Sequence, residues 1–221
     1  MRVAFLFDND GVLIDSSALH WASWERLMEE ELELKAMDHT LFTQTFGMRN
    51  DLILQKIVPQ IPEEKRHALA ERKEVLFREL AAGKVQLLPG IEPFLQEILA
   101  SGLPHIIASS TPIENLEMYL ESTVLGDYFE HYASAEEVEH GKPFPHIFVE
   151  AAKRLGFSPE ECIVVEDAPA GIEAGKAAGC FVVAITTTHA KSALENYDLL
   201  YQTPAHLDLQ EILEAYRLWK G

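Results

Sequence analysis

The apolar positions of this chain fall into two regimes. Residues 3–7 form an unbroken apolar run, the pattern of a strand buried on both faces. Over residues 16–34 the period changes: Leu19, Trp21, Trp24, Leu27, Met28 and Leu32 recur at helical spacing. Residues 41–46 and 52–58 continue that period. Pro62 then opens a further helix as its first residue, with Gly83 as the stop. No strand pattern interrupts this stretch. Beyond Leu88, apolar runs at 104–107, 162–165, 180–185 and 199–201 alternate with helical patterns at 92–101, 112–120, 146–155 and 171–178. Alternation of this kind predicts a parallel sheet covered on both faces, and the first strand belongs with it. The chain therefore reads as an α/β fold: a Rossmann-like doubly wound parallel sheet built from residues 1–15 and 88–221. An all-helical cap domain, residues 16–87, is inserted into it, with hinges at 15–16 and 87–90.

Composition narrows the function classes. With 221 residues and 48% hydrophobic content, the chain can bury a sizeable core. Its net charge of −18 argues against nucleic acid or an anionic membrane as partner, since both need basic patches. An anionic substrate would need a local positive centre. Cys162 and Cys180 each begin an apolar run and read as buried core thiols, with no disulfide framework or zinc spacing. Asp8 interrupts the only apolar run near the N-terminus, so no signal-peptide pattern is present, and no stretch approaches a membrane span. A cytoplasmic protein is expected. No exposed apolar seam stands out, so a monomer is expected.

Candidate chemistry collects after the strands, where ligands bind in open parallel sheets. The first strand ends in Asp8-Asn9-Asp10-Gly11. Residues i and i+2 of a strand share a face, so Asp8 and Asp10 project together, and Gly11 permits a turn that a side chain would resist. Paired carboxylates repel unless a cation or a shared proton offsets them. A turn alone uses the same residue types. A calcium loop fails, because aligning Gly11 with its invariant glycine puts Leu6 and Ser17 at ligand positions. After the second run come Ser109, Ser110 and Thr111, with Thr111 as N-cap, Pro112 as first helical residue and Glu114 as capping-box acid. Hydroxyls and free N–H groups there suit a phosphate-like anion. After residue 165 come Glu166 and Asp167, then Gly171 and a small-residue helix that allows close helix–sheet packing. Lys142 stands in a loop stiffened by Gly141, Pro143 and Pro145; a lone lysine is otherwise a solvated charge. Four acids at two strand ends suit a hard cation with oxygen ligands, magnesium above all.

This ensemble resembles the haloacid-dehalogenase superfamily, in the branch holding β-phosphoglucomutase and its phosphatase relatives. The resemblance rests on Asp8-Asn9-Asp10-Gly11, Ser109, Lys142, and Glu166-Asp167 followed by Ala168-Pro169-Ala170-Gly171-Ile172, and it covers nearly the whole chain. His146 departs from it, standing where an aspartate is common. The resemblance implies that Asp8 attacks phosphorus, forming an aspartyl phosphate, while Asp10 serves as acid and then base. Magnesium would be held by Asp8, the main-chain carbonyl of Asp10 and Asp167, with Glu166 beside it. Ser109, Ser110 and Lys142 would bind the phosphoryl group, and the helical cap would close over a small phosphorylated metabolite. Dehalogenases and phosphonate-cleaving members lack an acid at the Asp10 position, so phosphate-ester chemistry is favoured.

In the cap, His20, Arg49, Asn50 and Lys73 are the candidate substrate contacts, whereas Trp21 and Trp24 read as core. The mutase resemblance implies an arginine in the glycine loop and a serine-lysine-asparagine run for a distal phosphate. Counted from Gly47, Asn50 occupies the arginine position, with Arg49 one residue early, and the run reads Thr111-Pro112-Ile113. A phosphatase is therefore expected, with β-phosphoglucomutase as the alternative. Receiver domains also form an aspartyl phosphate around magnesium, but Asp10 and the long helical insert argue against that class.

Overall fold

The computed structural model describes residues 2–31 and 38–221. Leu32 and the end of the first expected helix lie outside the described residues. The sheet has six strands, β1 (Ala4–Phe7), β2 (His105–Ser109), β3 (Tyr132–Ser134), β4 (Cys162–Glu166), β5 (Phe181–Ile185) and β6 (Leu199–Tyr201). Their order is β3-β2-β1-β4-β5-β6 and every pair is parallel. The order reverses at β1, which pairs with β2 on one side and β4 on the other. A crevice opens at that point, outside the carboxyl ends of the strands.

Alternate residues of each strand feed two separate cores. Phe5, Phe7, Ile107, Ile163, Val165, Phe181 and Val183 pack on one face against α5 (Ile91–Ala100), α6 (Ile113–Ser122) and α9 (Leu209–Lys220). Leu6, Ile106, Ala108, Val164 and Val182 pack on the other against α7 (His146–Leu155) and α8 (Pro169–Ala178). Both cysteines are free and buried on that second side. Gly175 permits the close approach of α8, since a Cβ there would stand 2.9 Å from Val182 Cγ2.

Between β1 and α5 the chain makes α1 (Ser17–Glu30), α2 (His39–Thr45), α3 (Asn50–Ile57) and α4 (Glu63–Ala81). These four helices share a third core of Trp24, Leu27, Phe42, Leu54 and Leu76, against which Trp21 is half-buried. The two crossings into and out of this insert are stitched together: Asp15 N–H donates to Gln86 C=O and Leu88 N–H to Leu13 C=O. Phe77 and Ala81 of α4 reach the sheet core instead, tying the insert to it.

Three local expectations need correction. Pro62 caps α4 from outside rather than serving as its first residue. The expected cap of α6 also differs: Pro112 precedes the first helical residue, Ile113, and Thr111 makes no cap bond because its hydroxyl bonds Asp10 instead. Glu114 pairs with Arg78 across the cleft, 2.7 Å away, rather than closing a capping box. Strand β3 was not expected from the apolar pattern.

Candidate active site

The end of β1 positions the first two acids. Asp8 N–H continues the ladder to Val165 C=O, and the turn that follows closes with Gly11 N–H donating to Ile14 C=O. Gly11 has φ +84°, and a Cβ there would overlap the Asp167 carboxylate. Glycine is thus required twice, for its conformation and for the approach of Asp167.

Lys142, expected on a solvated loop or at a phosphate, is buried. Its Nζ donates to Asp8 Oδ1 at 2.5 Å and to Glu166 Oε1 at 2.6 Å. Burial works against this ammonium, but the charges of Asp8 and Glu166 outweigh it and hold its pKa above the ordinary lysine range. The other Glu166 oxygen accepts from the N–H groups of Asp167 and Ala168, at 2.8 and 2.9 Å. Glu166 therefore fastens Lys142 and the following loop together. Burial raises the Asp8 carboxyl above its ordinary value; Lys142 pulls it down and Glu166 pushes it up again.

Asp8, Glu166 and Asp167 bring one oxygen each within 4.8 Å of one another, all buried. Asp167 Oδ1 is buried with no hydrogen-bond partner. Burial and the charges of Glu166 and Asp8 raise Asp167 well above the carboxylate range. A buried carboxylate set with an orphaned oxygen and one lysine for three acids is short of positive charge. That donor set, all hard oxygen, fits a magnesium-like cation.

Asp10 faces the opposite way, toward the helical insert. Its carboxylate accepts from Ser16 Oγ at 2.5 Å, Tyr119 Oη at 3.2 Å, Thr111 Oγ1 and His20 Nε2, the last at 3.4 Å. Burial alone would raise this group, yet the hydrogen bonds from His20, Ser16 and Thr111 hold it well below the usual carboxylate range. His20 stacks on Phe77 with ring centroids 4.0 Å apart, and its Nδ1 lies 2.6 Å from Lys73 Nζ. An ammonium only donates, so Nδ1 accepts and Nε2 presents its proton to Asp10. Ser109 Oγ lies 2.9 Å from Thr111 Oγ1, so Ser109, Thr111 and Asp10 form one chain. Ser110 Oγ is buried and unpartnered.

The expected cap residues divide. Lys73 is buried and ion-paired with Glu74 at 2.8 Å rather than presented freely to a substrate. Asn50 donates to the same carboxylate at 2.5 Å. Arg49 turns toward the cavity, its stem against Gly141, where an added Cβ would stand 2.6 Å from Arg49 Cδ. Asp8, Asp10, His20, Arg49, Asn50, Lys73, Ser109 and Ser110 all line one cavity of about 530 Å³ between the insert and the sheet edge. Periodicity could not single out Tyr119 or Ser16: the first sits on the apolar face of α6 and the second reads as a helix start.

Clustered buried carboxylates and a lysine thus lie at the switch point of a doubly wound sheet, roofed by inserted helices. Residues 3–179 match the family model for haloacid dehalogenase-like hydrolases, described as a hydrolase family, and the chain belongs to that family. It is 30% identical over 192 residues to hexitol phosphatase B of Escherichia coli (strain K12), covering 86% of each chain. It is 31% identical over 216 residues to a chloroplastic 5-amino-6-(5-phospho-D-ribitylamino)uracil phosphatase of Arabidopsis thaliana, covering 96% of this chain and 57% of the plant protein's length. The structure is similar to that of β-phosphoglucomutase from Clostridium difficile, with a TM-score of 0.89, 27% identity, and coverage of 100% of this chain and 99% of the other. Among the described residues, no helix is long and apolar enough to cross a membrane.

Proposed function

We propose that this protein is a magnesium-dependent phosphatase that hydrolyses a small, sugar-phosphate-like phosphomonoester through an aspartyl phosphate on Asp8. The observation that carries the reading is the pairing of opposite environments at one cavity. Asp8 is held by Lys142 beside the orphaned Asp167 oxygen, while Asp10 is held ionised by four donors on the other side. Lys142 beside Asp8 favours the ionised form needed for attack, and Asp10, held as a carboxylate, is placed to take a proton from water.

In the reading we favour, Asp10 first takes a proton from solvent; an Asp8 oxygen then attacks phosphorus and the ester oxygen leaves with that proton. Water then attacks the same phosphorus, Asp10 takes its proton, and the Asp8–phosphorus bond breaks. Lys142, Ser109 and Ser110 hold the phosphoryl oxygens. Asp8, the main-chain carbonyl of Asp10 and Asp167 would hold magnesium, with Glu166 alongside. Bound there, the cation supplies positive charge that keeps Asp8 ionised and offsets the phosphoryl group. Residues 16–87 serve as a cap on the core of residues 1–15 and 88–221, and its closure excludes bulk water. Two buried thiols without a disulfide support a cytoplasmic setting.

The second reading is β-phosphoglucomutase activity, favoured by the likeness to the Clostridium difficile enzyme over the full chain. Against it, Asn50 stands where that resemblance implies an arginine and is spent on Glu74. The test is phosphate release and product identity with magnesium over a panel of sugar phosphates, including β-glucose 1-phosphate with a trace of the 1,6-bisphosphate. Free phosphate, lost with EDTA and in Asp8→Asn, supports the phosphatase. Conversion to glucose 6-phosphate with little free phosphate supports the mutase, and no turnover in either assay rejects both.

A further inference from the structure

Away from the phosphoryl pocket, each arginine on the cavity wall among the described residues already has a carboxylate from this chain. Arg49 presents a fork, Nε to Asp51 Oδ1 at 3.1 Å and Nη2 to Asp51 Oδ2 at 3.2 Å. Arg78 is held by Glu114 at 2.7 Å and by Asn115 Oδ1 at 2.9 Å. The other positive element is the start of α6, a ten-residue helix whose N-terminal end faces the same cavity. Its first N–H, that of Ile113, donates to Glu136 Oε2 at 2.9 Å. Glu136 is exposed, so its carboxylate gains that position without being buried.

We propose that Asp51 and Glu136 are specificity residues. They occupy in advance two of the places where a second anionic group of a substrate would bind. The enzyme then takes phosphomonoesters whose body carries no further phosphate or carboxylate. This rests on the phosphomonoester reading above.

The physical case is one of competition. A two-bond arginine–carboxylate fork is among the stronger surface pairings. A second phosphate reaching Arg49 must displace Asp51, which is half-buried, and leave it unpaired beside the incoming charge. A phosphate reaching the α6 terminus meets Glu136 on the donor, with Glu114 one residue along the helix. Glu71 adds a further carboxylate to the wall. Like charges set against a wrong ligand discriminate more sharply than missing contacts do. An uncharged polyhydroxyl body meets no such opposition and can hydrogen-bond to these same carboxylates.

The test is binding, kept separate from turnover. Glucose 6-phosphate and glucose 1,6-bisphosphate are titrated calorimetrically into magnesium-loaded Asp8→Asn protein, which has no nucleophile. The same two esters are assayed for kcat/KM with the wild type. The monophosphate is expected to bind at least about tenfold more tightly than the bisphosphate. Asp51→Asn and Glu136→Gln, together on that background, are expected to move the ratio at least about tenfold toward the bisphosphate, each single change giving part of the shift. Both are isosteric changes at positions outside the cores, and either single variant suffices if the double does not fold. Equal affinities without the substitutions, a ratio unmoved by them, or failure to bind either ester overturns the proposal. The expected binding ratio with no hydrolysis by the wild type would reject the catalytic reading and leave the specificity assignment standing.

Discussion

The carboxylate of Glu166 lies in the space that a Cβ on Gly171 would take: the added atom would overlap Oε1 and Cδ and stand 2.5 Å from Oε2. An alanine in a helix is ordinarily favoured over glycine by about 1 kcal/mol. Here the side chain in the way cannot swing aside freely, because both its oxygens are committed, one to Lys142 and one to two backbone N–H groups. Gly171→Ala is therefore expected to displace Glu166 and, through it, Lys142. Phosphatase kcat/KM should fall by about tenfold or more for roughly 1–2 kcal/mol of lost positioning, out of proportion to any change in Tm. Wild-type kinetics in a folded Gly171→Ala protein would show that Glu166 does not position Lys142.

Asp10 accepts four hydrogen bonds and is held as a carboxylate. That suits the second task proposed for it, taking a proton from water, better than the first, giving one to the leaving oxygen. Phosphoenzyme formation is therefore expected to limit turnover on alkyl phosphates, with no burst of alcohol product. In Asp10→Asn the first step should slow by about 10²–10⁴-fold for a sugar phosphate. For p-nitrophenyl phosphate, whose leaving group needs no proton, the loss in that step should be under about tenfold. Rapid-quench measurements on both esters check this; equal losses on the two would remove Asp10 from the acid role.

Much of this arrangement is legible from residue order, and the exceptions have physical causes. Strands β1, β2, β4 and β5 announce themselves as apolar runs because they are covered on both faces, and β6 keeps one although it is half-buried at the edge. Strand β3 is three residues long at the other edge, and Tyr132-Ala133-Ser134 carries no such run. Thr111 matches a capping signature that is local, whereas the bond that wins goes to Asp10, brought beside it by pairing of β1 with β2. Lys73 sits in a charge-rich helix and reads as a substrate contact. It is buried because Glu74 neutralises it from the next residue, while Asn115 of the core fastens Glu74. The acidic cluster was readable because each member directly follows a strand or ends one, and strand ends in a parallel sheet converge.

That Lys73–Glu74 pair gives a pH prediction. Burial would raise Glu74, but the charge of Lys73, with the hydrogen bonds from Lys73 and Asn50, lowers it below its ordinary 4.5. A carboxylate depressed in the folded state contributes stability above its unfolded value, and the contribution is lost as pH falls through the folded one. Wild-type Tm should thus carry a Glu74 contribution at neutral pH that disappears below about pH 4.5. Lys73→Met leaves the acid buried and uncompensated, a loss of roughly 3–5 kcal/mol that corresponds to a Tm lower by about 6 °C or more. The sign then reverses. With Glu74 raised, the variant should regain stability as pH falls toward 5, and Lys73→Met with Glu74→Gln should be flat across that range. Melting curves from pH 4 to 8 on the three proteins settle the assignment.

Asp167 offers the cleanest separation of metal binding from chemistry. In the protein without a cation, its carboxyl stands against Asp8 and Glu166 with an unpartnered oxygen, and the cluster repels itself. Asp167→Asn relieves that repulsion, so the metal-free variant is expected to melt at or above the wild-type temperature. Magnesium should stabilise the wild type by about 2.7 kcal/mol at a concentration a hundredfold above its Kd, an upward shift of about 5–10 °C. The variant should lose most of that shift, and hydrolysis with it. EDTA should return the wild type to its metal-free Tm. A magnesium shift preserved in Asp167→Asn would move the cation away from this cluster, and a metal-free variant well below the wild type would mean that Asp167 holds the loop rather than waiting for a charge.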